Sequence, residues 1–213
     1  MGASNPAGHP YYHFSLDEAL LNASQLVEWI HLGIPVADRQ LVAAEIPSAA
    51  HCCAKLPGAA PYASTAAIGT PGPGTVLEAT GQVYALFAGL AGGSVLPAAT
   101  LDNPVLATVG GQRVGSLLVL AVRKGQELYL VGVNRSPTDA FDARIFLDGS
   151  TVTNPGVLAR LNGVSALSYN TVAAPQAVRI TNSRLAERGS DLAVSFPAHS
   201  VTTIRLPIAP TPS

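Results

Sequence analysis

The 213-residue sequence predicts a mainly β protein, an antiparallel two-sheet β-sandwich of jelly-roll-like type preceded by a helical and irregular segment. Three observations carry this. Short apolar runs recur through the second half: Leu117–Arg123, Glu127–Asn134, Phe141–Leu147, Ala177–Asn182, Leu192–Phe196 and Val201–Leu206. Between them stand residues that turn a chain for steric reasons, namely Lys124-Gly125, Arg135-Ser136-Pro137, Asp148-Gly149, Arg188-Gly189 and Pro197. Ahead of residue 94 the apolar spacing changes to the three- and four-residue steps of helices.

The strands can be given faces. Phe141, Ala143, Ile145 and Leu147 alternate with Asp142, Arg144 and Phe146, so one side is expected on a core and the other in water. Leu192, Val194 and Phe196 alternate with Ala193 and Ser195 in the same way. Leu117–Val122 and Leu128–Val133 are apolar on both faces, the pattern of central strands covered on one side by a second sheet and on the other by more protein.

The totals narrow the function classes. Charged residues make up 12% of the chain, and the net charge is -1. The mean hydropathy is positive. Neither disorder nor a general electrostatic grip on nucleic acid fits these values. No run reaches the roughly 18–20 apolar residues of a membrane span, and Met1-Gly-Ala-Ser-Asn-Pro6 lacks the basic-then-apolar layout of a signal peptide. A soluble chain without an address is expected, with no membrane or nucleic-acid partner and no cofactor. Cys52 and Cys53 are adjacent, which disfavours a bridge between them. With His51 they cannot easily converge on one ion, and no second ligand pair follows.

In chain order, Ser15-Leu-Asp-Glu18 has capping-box spacing, predicting that Ser15 and Glu18 satisfy each other's backbone N–H groups at a helix start. Leu16, Ala19, Leu20, Ala23, Leu26, Val27 and Ile30 continue as a broad apolar stripe until Gly33 and Pro35. Glu28 and His31 are one turn apart, half of the motif of carboxylate-bridged di-iron bundles, but no second pair exists and no metal site is expected. Val36–Ala67 reads as a strand-like or helical piece and then an irregular connection, continued by Pro71-Gly-Pro-Gly74. The latter is no phosphate loop, since no strand precedes it and proline removes donor N–H groups. Thr80–Ala91 is a second short helix with Val83, Leu86, Phe87 and Leu90 on one face, closed by Gly92-Gly93. Ser94-Val-Leu-Pro97 leads out in extended form, and Asp102-Asn-Pro104 turns the chain toward the sandwich. The expected division is 1–93, helical and irregular, and 94–213, the sandwich.

With both helices and the strands in hand, the order resembles the C-terminal third of family 51 glycoside hydrolases, the α-L-arabinofuranosidases. Ser15-Leu-Asp-Glu-Ala-Leu-Leu-Asn-Ala-Ser-Gln-Leu26 looks like the family's last major barrel helix, and Gln82–Phe87 with Gly93-Ser-Val-Leu96 like its final short helix and the exit into the sandwich. Leu161–Thr171 is similar to the family's stretch ending in Asn-Thr, Pro175-Gln-Ala-Val178 to the Pro-x-x-Val after it, and Phe196–Leu206 to the closing strand. The resemblance covers nearly the whole chain and departs mainly at Val36–Gly74. It implies that 1–93 derives from a (β/α)8 barrel, and that the sandwich borrows a strand from the N-terminus of the full protein.

The family's reaction is retaining hydrolysis of terminal arabinofuranosyl groups by an acid/base Glu and a nucleophile Glu, about 5–5.5 Å apart. The resemblance implies that both precede the first helix, so no catalytic, cofactor-binding or metal residue is expected in this chain. Glu28-Trp29 matches the letters of the family nucleophile but falls within a helix, whereas catalytic carboxylates of this barrel project from strand ends. Glu18 reads as a cap, Asp148 as a turn residue, and Asp139 and Asp142 as the edge of a solvated strand face. The five histidines form no Ser/His/Asp arrangement.

Three functions follow as alternatives. The first is the non-catalytic part of an arabinofuranosidase, whose substrate is arabinose-containing poly- or oligosaccharide, with the sandwich bracing a barrel. The second is a stand-alone carbohydrate-binding sandwich, which needs an exposed aromatic platform; Phe141, Phe146, Tyr129, Tyr169 and Phe196 are the aromatics on offer. The third is a structural module that associates with itself. The resemblance implies that the stripe of the helix Leu16–Ile30 is shaped to cover barrel strands; without them it seeks the sandwich flank or a second copy, and self-association is expected.

Overall fold

The computed structural model describes residues 12–35, 43–45, 68–70, 75–107 and 111–210. A 3-10 turn, Tyr12–Phe14, leads into α1, Leu16–His31. β1 (Ala43–Glu45), β2 (Ile68–Thr70) and β3 (Val76–Leu77) precede α2 (Ala79–Phe87), which runs on into a 3-10 turn, Ala88–Leu90. Then come β4 (Ser94–Leu96), β5 (Val105–Ala107), β6 (Arg113–Gly115), β7 (Leu117–Lys124), β8 (Glu127–Asn134) and β9 (Phe141–Phe146). The last five strands are β10 (Ser150–Val152), β11 (Gly156–Gly163), β12 (Val178–Leu185), β13 (Asp191–Phe196) and β14 (Ser200–Pro210).

The larger sheet is seven-stranded, ordered β12-β11-β14-β8-β7-β4, with β10 paired to the far end of β14. All its ladders are antiparallel. β9 and β13 pair antiparallel as the second sheet, Phe196 opposite Phe141. The alternation read from these strands holds: Asp142, Arg144 and Phe146 are exposed, while Leu192, Val194 and Phe196 are buried. Phe196 comes so close to the larger sheet that a Cβ on Gly132 would sit 2.3 Å from its ring. Only glycine leaves the space there.

Because a strand's side chains alternate, β7 and β8 feed two cores. Leu117, Ala121 and Leu128 join Leu192, Val194, Phe196, Ile204 and Leu206 between the sheets. Leu120, Val122, Val131 and Val133 point the other way, onto Leu16, Leu20, Ala23 and Val27 of α1 and Val83 and Phe87 of α2. The molecule therefore has three layers: a helical pair, a large sheet and a small sheet. The expectation that central strands need cover on both faces is met by these outer layers.

This arrangement corrects the expectation of an orphaned helix stripe. Leu16, Ala23 and Val27 are fully buried, and Leu20 is 4% exposed. The stripe lies on the sandwich flank and α2, which removes the reason to expect a second copy there. The capping box also forms only in part. Glu18 N–H donates to Ser15 Oγ at 3.4 Å, but the Ser15 N–H donates to Tyr12 O at 2.9 Å. The Glu18 carboxylate instead accepts from Asn22 Nδ2 at 3.2 Å. The turn Tyr12–Phe14 supplies the acceptor that the Glu18 carboxylate provides in a complete capping box.

Two turn readings are visible as backbone geometry. Gly125 between β7 and β8 has φ +63°, and Gly149 has φ +62°, left-handed positions suited to residues without Cβ. β11 is a strand that the sequence reading left out, as are β10 and the β5–β6 hairpin. β11 is central, lying between β12 and β14. Near Gly93, where the sequence reading divides the chain, the backbone presses on β7: a Cβ there would lie 2.4 Å from Val122 Cγ1.

Candidate functional site

The most constrained polar region is the joint between α2 and the sandwich. β3 ends at Leu77, Glu78 takes the N-cap position, and α2 begins at Ala79. Asn170, 1% exposed, reaches this joint from the segment between β11 and β12. Its Nδ2 donates to Leu77 O at 2.8 Å and to Val178 O at 2.9 Å. Its Oδ1 accepts from Val178 N–H at 2.7 Å. Gln82, one turn into α2, donates from Nε2 to Val178 O at 2.9 Å and accepts from Ile180 N–H at 3.0 Å. Two side-chain amides thus give α2 an edge of β12 to pair with. The same connecting segment serves α1, whose Leu16 and Asp17 N–H groups donate to Ser168 O and Ala166 O, each at 2.8 Å. Helix-start donors that normally find water or a cap are answered here by the sandwich.

Glu78 is the unusual group at this joint. It is fully buried, makes no side-chain capping bond, and neither carboxyl oxygen has a hydrogen-bond partner among the described residues. Burial pushes its carboxyl up to about 8, which favours the neutral form at pH 7. A neutral buried acid can donate a proton, but retaining glycosidase chemistry needs a second, ionised carboxylate across the bond. Among the described residues, no neighbouring charge contributes to the shift at Glu78. The sequence reading passed over this residue; its signal was a lone acid between apolar Val76-Leu77 and Ala79.

A second polar group lies at the start of α1. Tyr12 OH donates to Asp17 Oδ2 at 2.5 Å, and burial, with the neighbouring carboxylates, raises the phenol. His13 Nδ1 lies 3.7 Å from Glu18 Oε2, and burial lowers the imidazole.

The residues weighed in the sequence fall elsewhere. Glu28, Trp29 and His31 lie on the exposed C-terminal turns of α1. Asp148 is exposed in the turn after β9, and Asp139 and Asp142 are exposed at its start. Asp139 is held as a turn acceptor by Ser136 Oγ at 3.0 Å. Among the described residues, no group of three His, Cys, Asp or Glu is placed to hold a metal. His51, Cys52 and Cys53 lie outside the described residues, as does Val36–Gly74 apart from β1 and β2. Of the aromatics weighed as a sugar platform, Phe196 is buried and Phe141, Tyr129 and Tyr169 are partly so; Phe146 is 72% exposed.

Neither a protein-family model nor a curated protein matches the sequence. Solved structures do match the fold. The family 51 arabinofuranosidase of Xanthomonas axonopodis pv. citri superposes with a TM-score of 0.73 at 21% identity, over 90% of this chain and 36% of that one. The α-L-arabinofuranosidase of Thermotoga maritima gives 0.69 at 16% identity, over 95% of this chain and 40% of its own. A family 51 α-L-arabinofuranosidase from Bifidobacterium longum gives 0.67 at 17% identity, over 90% and 34%. The chain therefore has the fold of one part of the family 51 arabinofuranosidases, and spans little more than a third of the length of these structures.

Proposed function

We propose that this chain is the sandwich-bearing part of an α-L-arabinofuranosidase-like glycoside hydrolase, and that it braces a catalytic barrel without carrying the acid/base and nucleophile. In this reading residues 1–93 derive from the barrel and 94–213 are the sandwich. The observation that carries it is the near-complete coverage of this chain by partial lengths of several arabinofuranosidases. Two features of the molecule support it. β1 and β2 pair in parallel, whereas every other ladder described is antiparallel, and parallel pairing is the habit of barrel strands. The helices are also anchored on the sandwich through Asn170 and Gln82, which makes a rigid platform for whatever α1 and α2 adjoin. The substrate class of the whole assembly is arabinose-containing poly- and oligosaccharide.

The test is turnover of 4-nitrophenyl α-L-arabinofuranoside by the purified chain. No release of nitrophenol is expected, because a single neutral carboxyl cannot both donate the proton and stabilise the oxocarbenium-like centre. Release that is abolished by Glu28→Gln or by Glu78→Gln overturns the reading.

A further inference from the structure

β11 loses one of its two partners near its end. Its ladder with β14 stops at Leu161, paired with Val201, while the ladder with β12 runs on through Asn162 and Gly163. Across from Gly163, Val178 is already engaged, its N–H and carbonyl bonded to Asn170 and the carbonyl to Gln82 as well. The Gly163 N–H turns instead to the preceding side chain and donates to Asn162 Oδ1 at 2.6 Å. Asn162 Nδ2 donates to Ala198 O at 3.5 Å, the outer limit of a hydrogen bond. Both residues are half-buried and line an open surface cleft with Val164 and Ala177, so water reaches them. No other asparagine in the chain precedes a glycine.

We propose that Asn162 is a site of spontaneous covalent modification, converted in the folded chain to isoaspartate and aspartate through a succinimide. The Gly163 nitrogen attacks Asn162 Cγ and forms an N–C bond; the Cγ–Nδ2 bond breaks, and the proton lost from Gly163 leaves with Nδ2 as ammonia. Water then opens the imide ring. Addition at Cγ gives aspartate, whereas addition at the Asn162 main-chain carbonyl gives isoaspartate, whose backbone runs through the side chain and is one methylene longer. Nothing is oxidised or reduced, and water is the co-reactant. The short contact from Gly163 N–H to Asn162 Oδ1 keeps the reacting groups together. Ring closure turns the Asn162–Gly163 peptide out of the strand, which glycine permits because it has no Cβ.

The extra methylene meets a crowded site. Even a Cβ on Gly163 would lie 3.0 Å from Ser168 Cβ and 3.2 Å from Ala177 O. Ser168 O is the acceptor for Leu16 N–H at the start of α1, so isoaspartate at this position loosens the seat of that helix. The inference stands with or without the glycosidase reading.

The experiment holds the full chain for days in mildly alkaline buffer, with and without urea, and maps its peptides by mass spectrometry, with isoaspartyl methyltransferase marking isoaspartate. The folded chain should gain the mass of an amide turned to acid at Asn162 ahead of every other asparagine, with isoaspartate exceeding aspartate. Its rate should fall within about tenfold of that in urea. Asn162→Gln keeps an amide there and should stop the reaction, because its larger ring closes far more slowly. Leu16 and Asp17 amides should exchange faster with solvent in aged protein than in fresh. The proposal is overturned if the folded chain reacts more slowly than that tenfold margin, if aspartate forms without isoaspartate, or if aged and fresh protein exchange alike at Leu16.

Discussion

The side-chain amide of Asn170 donates to the Leu77 carbonyl at 2.8 Å, joining two residues 93 positions apart. With its two bonds to Val178, this one buried side chain ties the strand before α2 to the edge of the larger sheet. Asn170→Ala removes three hydrogen bonds and leaves Leu77 O and the Val178 N–H without this partner, while Val178 O keeps its bond from Gln82. Since each unmet buried group costs about 1–3 kcal/mol, and some will find water, the substitution should lower stability by about 2–4 kcal/mol. Urea unfolding measures it directly. A loss under about 0.5 kcal/mol would show that the joint is not held as described.

Glu78 makes stability fall with rising pH. Its folded value of about 8 lies above the ordinary value of 4.5, so the folded protein holds this proton more tightly than the unfolded chain. The contribution is complete below pH 4.5, declines as pH rises from there to about 8, and is gone above it. Within that window the slope is at most about 1.4 kcal/mol per pH unit. Glu78→Gln has no proton to lose, so the difference in unfolding free energy between variant and parent should grow in the variant's favour from pH 5 to pH 8. A difference that is flat across this range contradicts the burial of an unpartnered carboxyl.

Leu20 separates a helix packed within the chain from one that waits for a second copy. It is 4% exposed, within the core shared by α1, α2 and the larger sheet. Leu20→Asp places a charge in that core and should cost about 3–5 kcal/mol, with no change of oligomeric state. If sedimentation shows the parent as a dimer that Leu20→Asp turns into an equally stable monomer, the stripe is an intermolecular surface after all.

Much of this architecture was legible in the residues. Period-two alternation marks Phe141–Leu147 and Leu192–Phe196, and doubly apolar strands mark β7 and β8, because in each case the pleat translates directly into burial. The Ser15 cap and the Gly125 and Gly149 turns follow from local sterics. What escaped notice depends on distant partners. β11, Gly156-Val-Leu-Ala-Arg-Leu-Asn-Gly163, has no clean alternation, since Arg160 uses its length to reach Ser195 O across to the second sheet. Glu18 left its predicted role because Tyr12 O took the Ser15 N–H. Glu78 is fully buried although it stands at a helix start, where an acid is ordinarily solvated, so its letter alone carries little. Asn170 was visible as part of a family-like stretch, but its partner at Leu77 was not.

Native-state hydrogen exchange tests most directly whether the helices and the sandwich are one structural unit, on which the bracing role rests. The slowest amides of α1, around Leu20 and Ala23, should exchange with the same opening free energy as those of Val131 and Val133 in β8, within about 1 kcal/mol. Their shared core predicts this equality. Helical amides that open several kcal/mol below the sheet would make the helices a loosely attached appendage and contradict the account.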